Sequence, residues 1–197
     1  MPAYTTEDAE LLIKSTRNCI ELQIRSPKFR PEMIEEQLQK YDSKAKIQVR
    51  LLHHPTGTLR ASYTAEGILA KLILSAASSL AMGGAGQASL SLNELGELLI
   101  EISIFDDQTE ISGSLVQKRK AIELGKDGIM VEYGLYKSML MPSYATQKGL
   151  NKTQFLEAAC VSAGLDKDYW RQPKVRIYKF EAQRFIETSP NGRVASG

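Results

Sequence analysis

Residues 46–64 carry the pattern that restricts the fold most, because apolar and polar residues alternate on both sides of a turn sequence, Pro55-Thr56-Gly57. Such alternation is typical of β-strands that bury one face. A three-residue loop predicts the cross-strand pairs His54 with Thr58, Leu51 with Ala61, and Arg50 with Ser62. In that register one face carries the apolar side chains Ile47, Val49, Leu51, Leu59, Ala61 and Tyr63. A loop one residue shorter would mix the two faces, so the alternation favours the three-residue register.

Segments with apolar residues at helical spacing precede and follow this hairpin in the sequence. Thr6 is expected to cap a helix with an apolar stripe through residues 9–24. A short polar helix is expected over residues 32–41. A longer helix is expected over residues 66–81. It has apolar residues outside its main stripe, which implies that other elements pack against more than one of its sides. Further along, Asn151 and Gln154 form a capping-box sequence for a helix that stops at Gly164.

The remaining apolar runs predict strands over residues 97–105, 121–141 and 175–187. The first of these alternates and is expected to be half-buried, and a polar connection over residues 106–120 follows it. Together the elements predict an α+β fold in one domain over residues 5–192. We expect a smaller lobe (about residues 46–110) inserted in a larger one (about residues 5–45 and 111–192), and a loose tail over residues 189–197.

Charge and cysteine content narrow the possible partners. The chain has 25 basic and 23 acidic residues, a balance too even to indicate a nucleic-acid or anionic-membrane surface. Its two cysteines, Cys19 and Cys160, lie on helical apolar stripes, which favours inert buried thiols over a disulfide or a metal site. With neither a signal-like start nor a membrane-spanning apolar run, the sequence predicts a cytoplasmic protein.

Several segments resemble the AMMECR family, the Alport critical-region proteins: residues 90–95, 125–132, 155–160, 163–165, 170, 175–187 and 190–192. The resemblance covers nearly the whole chain in one order. It implies two α/β lobes with mainly antiparallel sheets, packed around a cleft, while the biochemical activity of the family is unsettled. Family members often occur beside, or fused to, radical-SAM and Memo-type proteins, so the resemblance implies partners of those kinds.

The chain departs from two motifs of that family. Where the family has Leu-Arg-Gly-Cys-Ile-Gly, this sequence reads Leu59-Arg60-Ala61-Ser62-Tyr63-Thr64. Where the family has Pro-Gln-Val-Ala-Val-Glu, it reads Pro142-Ser143-Tyr144-Ala145-Thr146-Gln147. The family's cysteine and carboxylate are therefore replaced by Ser62 and Gln147, which are weaker as a nucleophile and as a base.

Ser62 is the sharpest catalytic candidate, but a serine needs an activating base. In the expected register His53 faces Leu59, roughly 10 Å along the strand from Ser62, whereas proton transfer needs about 3 Å. Ser62 is therefore read first as a polar-face strand residue. His53 and His54 point to opposite faces and cannot chelate one ion together, so no metal or cofactor is expected.

Three functions stay open. The first is a non-catalytic or degenerate AMMECR-like protein that binds a partner or a small ligand in the inter-lobe cleft, and its candidate residues are Arg50, Arg60, Ser62, Tyr144 and Gln147. The second is an enzyme of unknown reaction that uses the cleft around Ser62 and Gln147. The third is a nucleic-acid-associated protein that binds through the short basic cluster Lys118-Arg119-Lys120.

Overall fold

The computed structural model describes residues 4–26, 28–83 and 88–196 of the chain. Its helices are α1 (Thr6–Arg25), α2 (Leu69–Ala81), α3 (Leu92–Leu95), α4 (Leu115–Lys120), α5 (Pro142–Gln147) and α6 (Lys152–Ser162), and 3-10 helices span Pro31–Leu38 and Lys167–Arg171. Its strands are β1 (Lys44–His53), β2 (Thr58–Ile68), β3 (Leu98–Phe105), β4 (Thr109–Glu110), β5 (Asp127–Tyr133), β6 (Tyr136–Leu140), β7 (Arg176–Glu187) and β8 (Val194–Ser196). The fold is α+β, as the sequence predicts.

The chain divides into two compact units whose bounds differ from the expected lobes. The first unit takes the chain up to Ile104 and again from Gln183, and the second takes Phe105–Ala182. The sequence placed residues 5–45 with the second half of the chain. In the structure α1 packs on α2 and buries its stripe in the same cluster as the hairpin, so the shared apolar core assigns α1 to the first unit.

The first unit is built on a sheet with strand order β2-β1-β3-β7, and β8 pairs with the end of β7. One face carries Ile47, Val49 and Leu51, which pack with α1 and α2 in the core. The expectation of a half-buried β3 is wrong, since all eight of its residues are buried. β3 lies between β1 and β7, and an interior strand is covered on both edges as well as on its faces.

The β1–β2 hairpin confirms part of the predicted register. Arg50 pairs with Ser62 and Leu51 with Ala61. Beyond them a β-bulge shifts the ladder, so that Leu52 opposes Leu59 and His53 opposes Thr58. The predicted pairing of His54 with Thr58, the facing of His53 and Leu59, and the three-residue loop are therefore wrong. The bulge also turns the Leu59 side chain outward, where it is 53% exposed.

The second unit has the strand order β6-β5-β7, with β4 also paired to β7. Its core brings together Phe155, Leu156 and Trp170 with residues of β5 and β7. The predicted capping box of Asn151 and Gln154 is present at the start of α6. Gly128 is required at its place in β5, because a Cβ there would lie 2.3 Å from the ring of Phe180. The expected polar connection over residues 106–120 contains β4 and α4.

Several element ends differ from the sequence expectations. Thr5 caps α1 in place of Thr6, and residues 31–38 form a 3-10 helix. β2 runs to Ile68, so α2 begins three residues later than expected, at Leu69. The expected loose tail contains β8, which a backbone hydrogen bond from Thr188 to Arg193 turns back onto β7. Among the described helices, none combines the length and the apolar character needed to cross a membrane.

Candidate functional site

Arg50 and Ser62 face each other across the hairpin, on the strand face away from the α1–α2 core. They are direct cross-strand partners in the ladder of β1 and β2. The Arg50 Nε donates to Oε1 of Glu101 on β3 over 2.6 Å, and its Nη2 also pairs with that oxygen. Ser62 is exposed. The sequence expectation that these two side chains share a polar face agrees with this placement.

Glu101 is the residue around which this polar face is organised. Its side chain is 1% exposed, although it is a carboxylate. A second arginine, Arg184 on β7, donates from Nε and Nη2 to the other oxygen, Oε2, over 2.7 and 2.6 Å. A buried carboxylate needs partners for its charge and its lone pairs, and the two arginines provide them.

Arg60 occupies the bulge position and is fixed in a different direction. Its Nε donates to Oε1 of Glu94 over 2.5 Å, and its Nη2 donates to the carbonyl of Ala88 over 3.0 Å. Glu94 lies in α3, whose start is capped by the Ser91 hydroxyl. The bulge thus turns Arg60 towards α3 and the segment before it, while Arg50 is directed to Glu101.

The surroundings of Ser62 provide no histidine base. His53 pairs with Thr58, four strand positions from Ser62, which is roughly 13 Å along an extended chain. A proton transfer needs about 3 Å. The residue directly opposite Ser62 in the ladder is Arg50, whose guanidinium bonds Glu101 on β3 and has no lone pair with which to accept a proton.

Tyr144 and Gln147 lie on α5, in the second unit. Tyr144 is half-buried and packs against the core of that unit. Gln147 is exposed at the last position of the helix. The structure therefore brings Arg50, Arg60 and Ser62 together on the β1–β2 hairpin, and it brings Tyr144 and Gln147 together on α5.

The cysteines and the basic cluster, which were the other candidate groups, lie in environments that favour a structural role. Burial raises the pKa of the Cys19 and Cys160 thiols to about 11 in each case, so both stay protonated at neutral pH. The Lys118 ammonium is buried and donates to the carbonyl of Trp170 over 3.2 Å, so it does not face solvent with Arg119 and Lys120. In the part of the chain that the structure describes, no three His, Cys, Asp or Glu side chains are grouped to hold a metal ion.

Several open cavities were not foreseen from the sequence, and two of them have volumes of about 400 Å³. One, of about 390 Å³, lies between the first 3-10 helix and α2 and includes Glu32, Glu35 and Lys71 in its lining. The other, of about 400 Å³, lies in the second unit beside Tyr133 and Tyr169, whose rings meet edge to face at 5.6 Å. None of the candidate residues from the sequence lines either cavity.

The sequence missed Glu101 and Arg184, which complete the arrangement around Arg50. One signal was present, because Glu101 is the only charged residue among the eight that form β3. A carboxylate in the middle of such an apolar strand must find a cationic partner. The sequence pattern could not say which arginine it would be, since Arg50 is 51 residues away and Arg184 is 83 residues away.

Comparison with known proteins decides the family. The AMMECR1 family model matches residues 13–185. The chain belongs to the AMMECR1 family. A structural relative is the uncharacterized protein PH0010 from Pyrococcus horikoshii, whose crystal structure matches with a TM-score of 0.82 and 26% identity over 96% of each chain. The family expected from the motifs and the expected fold class are thereby confirmed.

Relatives within the AMMECR1 family show how far the similarity extends. A protein of Methanocella arvoryzae is 29% identical over 95% of this chain and 95% of its own length. A Pyrococcus furiosus protein is 34% identical over 53% of this chain, and the match spans 50% of that protein. A Thermoplasma volcanium protein is 39% identical over 52% of this chain and 51% of its own length. These relatives carry names that state no activity.

Proposed function

We propose that this AMMECR1 chain is a binding protein without catalytic activity of its own, and that it recognises a small ligand through the strand face around Arg50 and Ser62. The observation that carries the proposal is the pairing of a rigidly held arginine with an exposed serine that has no histidine base nearby. Fixed donors on strands suit recognition, because little side-chain freedom is lost on binding.

The same geometry argues against the enzyme hypothesis. A serine nucleophile requires a base that can remove its proton, and the partner across the ladder is Arg50. A guanidinium donates hydrogen bonds and holds its protons, so the pair can bind an acceptor group but cannot activate the hydroxyl. The nucleic-acid hypothesis is weakened as well, since one of its three basic residues is committed to the Trp170 carbonyl.

Some finer expectations stay predictions from the family resemblance. These are binding in an inter-lobe cleft, participation of Tyr144 and Gln147, protein partners of the radical-SAM or Memo type, and a cytoplasmic location. Arg50 and Ser62, which form the proposed binding face, both belong to the first unit.

The test is retention of small molecules by the purified full chain. The protein would be incubated with a metabolite extract, separated by gel filtration, and the co-eluting compounds identified by mass spectrometry. We expect retention of a compound at about one per chain, and loss of that retention in Ser62→Phe, which covers the exposed face with an uncharged ring and does not enter the core. Ser162→Phe, at an exposed serine that ends α6 in the second unit, is the matched control and should retain the compound.

Two results would contradict the proposal. If the wild-type chain converts a compound of the extract into a product and Ser62→Ala does not, then the protein is an enzyme that uses this hydroxyl. If Ser62→Phe retains the same compound as strongly as the wild type, then the binding site lies elsewhere.

A further inference from the structure

Two arginines share one buried carboxylate on the polar face of the first unit, which leaves hydrogen-bond donors and positive charge in excess. We infer that Arg50 and Arg184, anchored by Glu101, form an oxyanion-binding site for the phosphate or carboxylate group of a small ligand. The inference rests on the proposed function and deepens it, because it assigns a chemical class to the ligand of the same strand face.

The excess of donors follows from how each guanidinium contacts Glu101. Arg50 donates from Nε and Nη2 to Oε1, and Arg184 donates from Nε and Nη2 to Oε2. A guanidinium has five N–H groups, so the Nη1 atom of each arginine carries two more donors. Within the described residues, neither Nη1 atom has an acceptor. The side chains of Arg50 and Arg184 are 31% and 21% exposed, so an external acceptor can reach them.

The excess of charge follows from the count of ionised groups. Two guanidinium groups and one carboxylate leave the cluster with a net charge of +1. Both arginines bond to the same carboxylate group, so their bonded nitrogens lie within roughly 8 Å of each other. One anion with several oxygens can therefore approach both guanidiniums together. Planar guanidinium groups match carboxylate and phosphate oxygens particularly well.

The position of both arginines is fixed before any ligand binds. Arg50, Glu101 and Arg184 stand on three strands of one sheet, β1, β3 and β7. Because Glu101 is buried and bonds both guanidiniums, the arginines do not have to be ordered by the ligand. The exposed Ser62 hydroxyl, opposite Arg50, adds a group that can donate to or accept from the same ligand.

The scale of the cluster favours a small ligand over a polyanion. Nucleic acids are held by many cationic contacts along their backbone. This chain has 25 basic and 23 acidic residues, and the excess at this site is a single charge. One phosphate or carboxylate group matches that excess.

The first experiment measures binding of simple oxyanions to the full chain. Inorganic phosphate, pyrophosphate and malonate would be titrated separately at constant ionic strength, near neutral pH, while the arginine Nε–Hε resonances are followed by NMR. Phosphate and malonate separate a phosphate site from a carboxylate site. We expect the resonances of Arg50 and Arg184 to shift together and to saturate with at least one anion below about 10 mM.

Arg25 provides the control within the same chain. Its Nε and Nη2 also donate to one oxygen of a glutamate, Glu21, but on α1 the two side chains are 58% and 42% exposed. Its resonance should not saturate with any of the three anions. The inference is overturned if no anion saturates Arg50 and Arg184 in this range, or if Arg25 responds with the same affinity.

Lysine exchanges at the two arginines test the assignment. Arg184→Lys keeps the charge but loses the planar fork, so we expect binding to weaken about tenfold, whereas Arg25→Lys should leave it unchanged. Arg50→Lys should weaken binding in the same way, because both guanidiniums contact the anion. Unchanged binding in a folded Arg184→Lys protein would overturn the inference. If that variant does not fold, unchanged binding in Arg50→Lys would overturn it.

Failure of this inference and failure of the proposed function give different results. A neutral compound retained from the extract and lost in Ser62→Phe would support the binding function and overturn the oxyanion site. Oxyanion binding at the two arginines, together with turnover that depends on the Ser62 hydroxyl, would support the site and overturn the non-catalytic function.

Discussion

Two buried glutamates of the first unit, Glu187 and Glu101, are each paired with arginine, but the two sites differ in what they leave unused. Glu187 meets Arg17 of α1 by a two-oxygen contact, Nε to Oε1 at 2.9 Å and Nη2 to Oε2 at 2.5 Å. Arg17 also donates to the carbonyls of Leu95 and Leu98, and Glu187 accepts the backbone N–H of Ile100. Every polar nitrogen of the Arg17 guanidinium therefore has an acceptor.

We call the Glu101 site open, because its arginines are partly exposed and keep unused donors, and we call the Glu187 site closed, because its arginine is buried and fully bonded. The Arg17 side chain is 10% exposed, against 31% for Arg50 and 21% for Arg184. One arginine and one carboxylate cancel at Glu187, whereas two arginines face one carboxylate at Glu101. The comparison shows that a buried ion pair indicates a binding site only when donors and charge remain after its internal bonds are counted. The closed site holds α1 on the sheet.

The largest expected effect comes from breaking the closed pair. Arg17→Met leaves Glu187 buried without a cation, so we expect a loss of about 3–5 kcal/mol in the free energy of unfolding. Chemical denaturation measures it. The exposed Arg25→Met should change the same quantity by no more than about 0.5 kcal/mol. A loss below about 1 kcal/mol for Arg17→Met would show that water reaches Glu187 and that the site is not closed.

The open site should tolerate loss of its carboxylate better than the closed site tolerates loss of its arginine. In Glu101→Gln the two guanidiniums lose a partner but can be hydrated, because both are partly exposed. We expect the free energy of unfolding to fall by about 1–2 kcal/mol. A loss as large as that of Arg17→Met would mean that both sites are equally structural, and the distinction between them would fail.

Removal of one arginine from the open site should cost less again. In Arg50→Gln the carboxylate of Glu101 still has Arg184, so the buried charge stays paired. We expect a loss of about 1 kcal/mol by chemical denaturation. The double variant with Arg184→Gln should lose clearly more than the sum of the two single losses, because only then is Glu101 left unpaired. Simple additivity would indicate that the arginines do not share the carboxylate.

Asp8 is a carboxylate at the surface whose side chain is 19% exposed, and it extends the comparison towards solvent. The Lys40 ammonium, then the Thr5 backbone N–H and the Tyr41 hydroxyl, hold the pKa of Asp8 well below its usual range. A lowered pKa in the folded state stabilises the fold above the unfolded-state pKa, and this contribution is lost as the pH falls through the folded-state value. We expect Asp8→Asn to cost about 0.5–1 kcal/mol at neutral pH, a small value because water screens the pair.

The pH dependence of that cost is the measurement. The difference between the wild type and Asp8→Asn in the free energy of unfolding should shrink progressively below about pH 4, where Asp8 becomes protonated in the unfolded chain. A cost that is constant down to strongly acidic pH would show that the Asp8 charge does not contribute. Glu7→Gln, at the exposed neighbouring position in α1, is the matched control for the loss of one carboxylate.

The sequence predicted those features that depend on neighbouring residues. The alternation in β1 and β2 was sufficient for the pairs Arg50–Ser62 and Leu51–Ala61, and the spacing of Asn151 and Gln154 was sufficient for the α6 cap. The bulge that turns the Leu59 side chain outward could not be predicted. The same residues could form a regular ladder or a ladder with one unpaired residue, and the sequence of the two strands is identical in both cases.

The candidate site was predictable only in part, for a related reason. Arg50 and Ser62 come from one hairpin, so local alternation placed them on one face. Glu101 and Arg184 reach that face from strands that are distant in the sequence, and no local pattern specifies which strands become neighbours. The division of the chain into units has the same origin, since the contact of α1 with α2 joins segments that the sequence alone assigned to different lobes.

The smallest effect on the free energy of unfolding should come from Ser62, the residue that replaces the cysteine of the family motif. Ser62 is exposed on the polar face of β2, so Ser62→Ala removes no buried contact and we expect a change within about 0.5 kcal/mol in the free energy of unfolding. Ala61→Ser, one position earlier on the buried face, is the matched exchange and should cost clearly more, because it buries a hydroxyl. A loss of several kcal/mol in Ser62→Ala would contradict the polar-face placement. It would also place this hydroxyl among the structural contacts of the Glu101 site rather than at the open surface where a ligand could meet it.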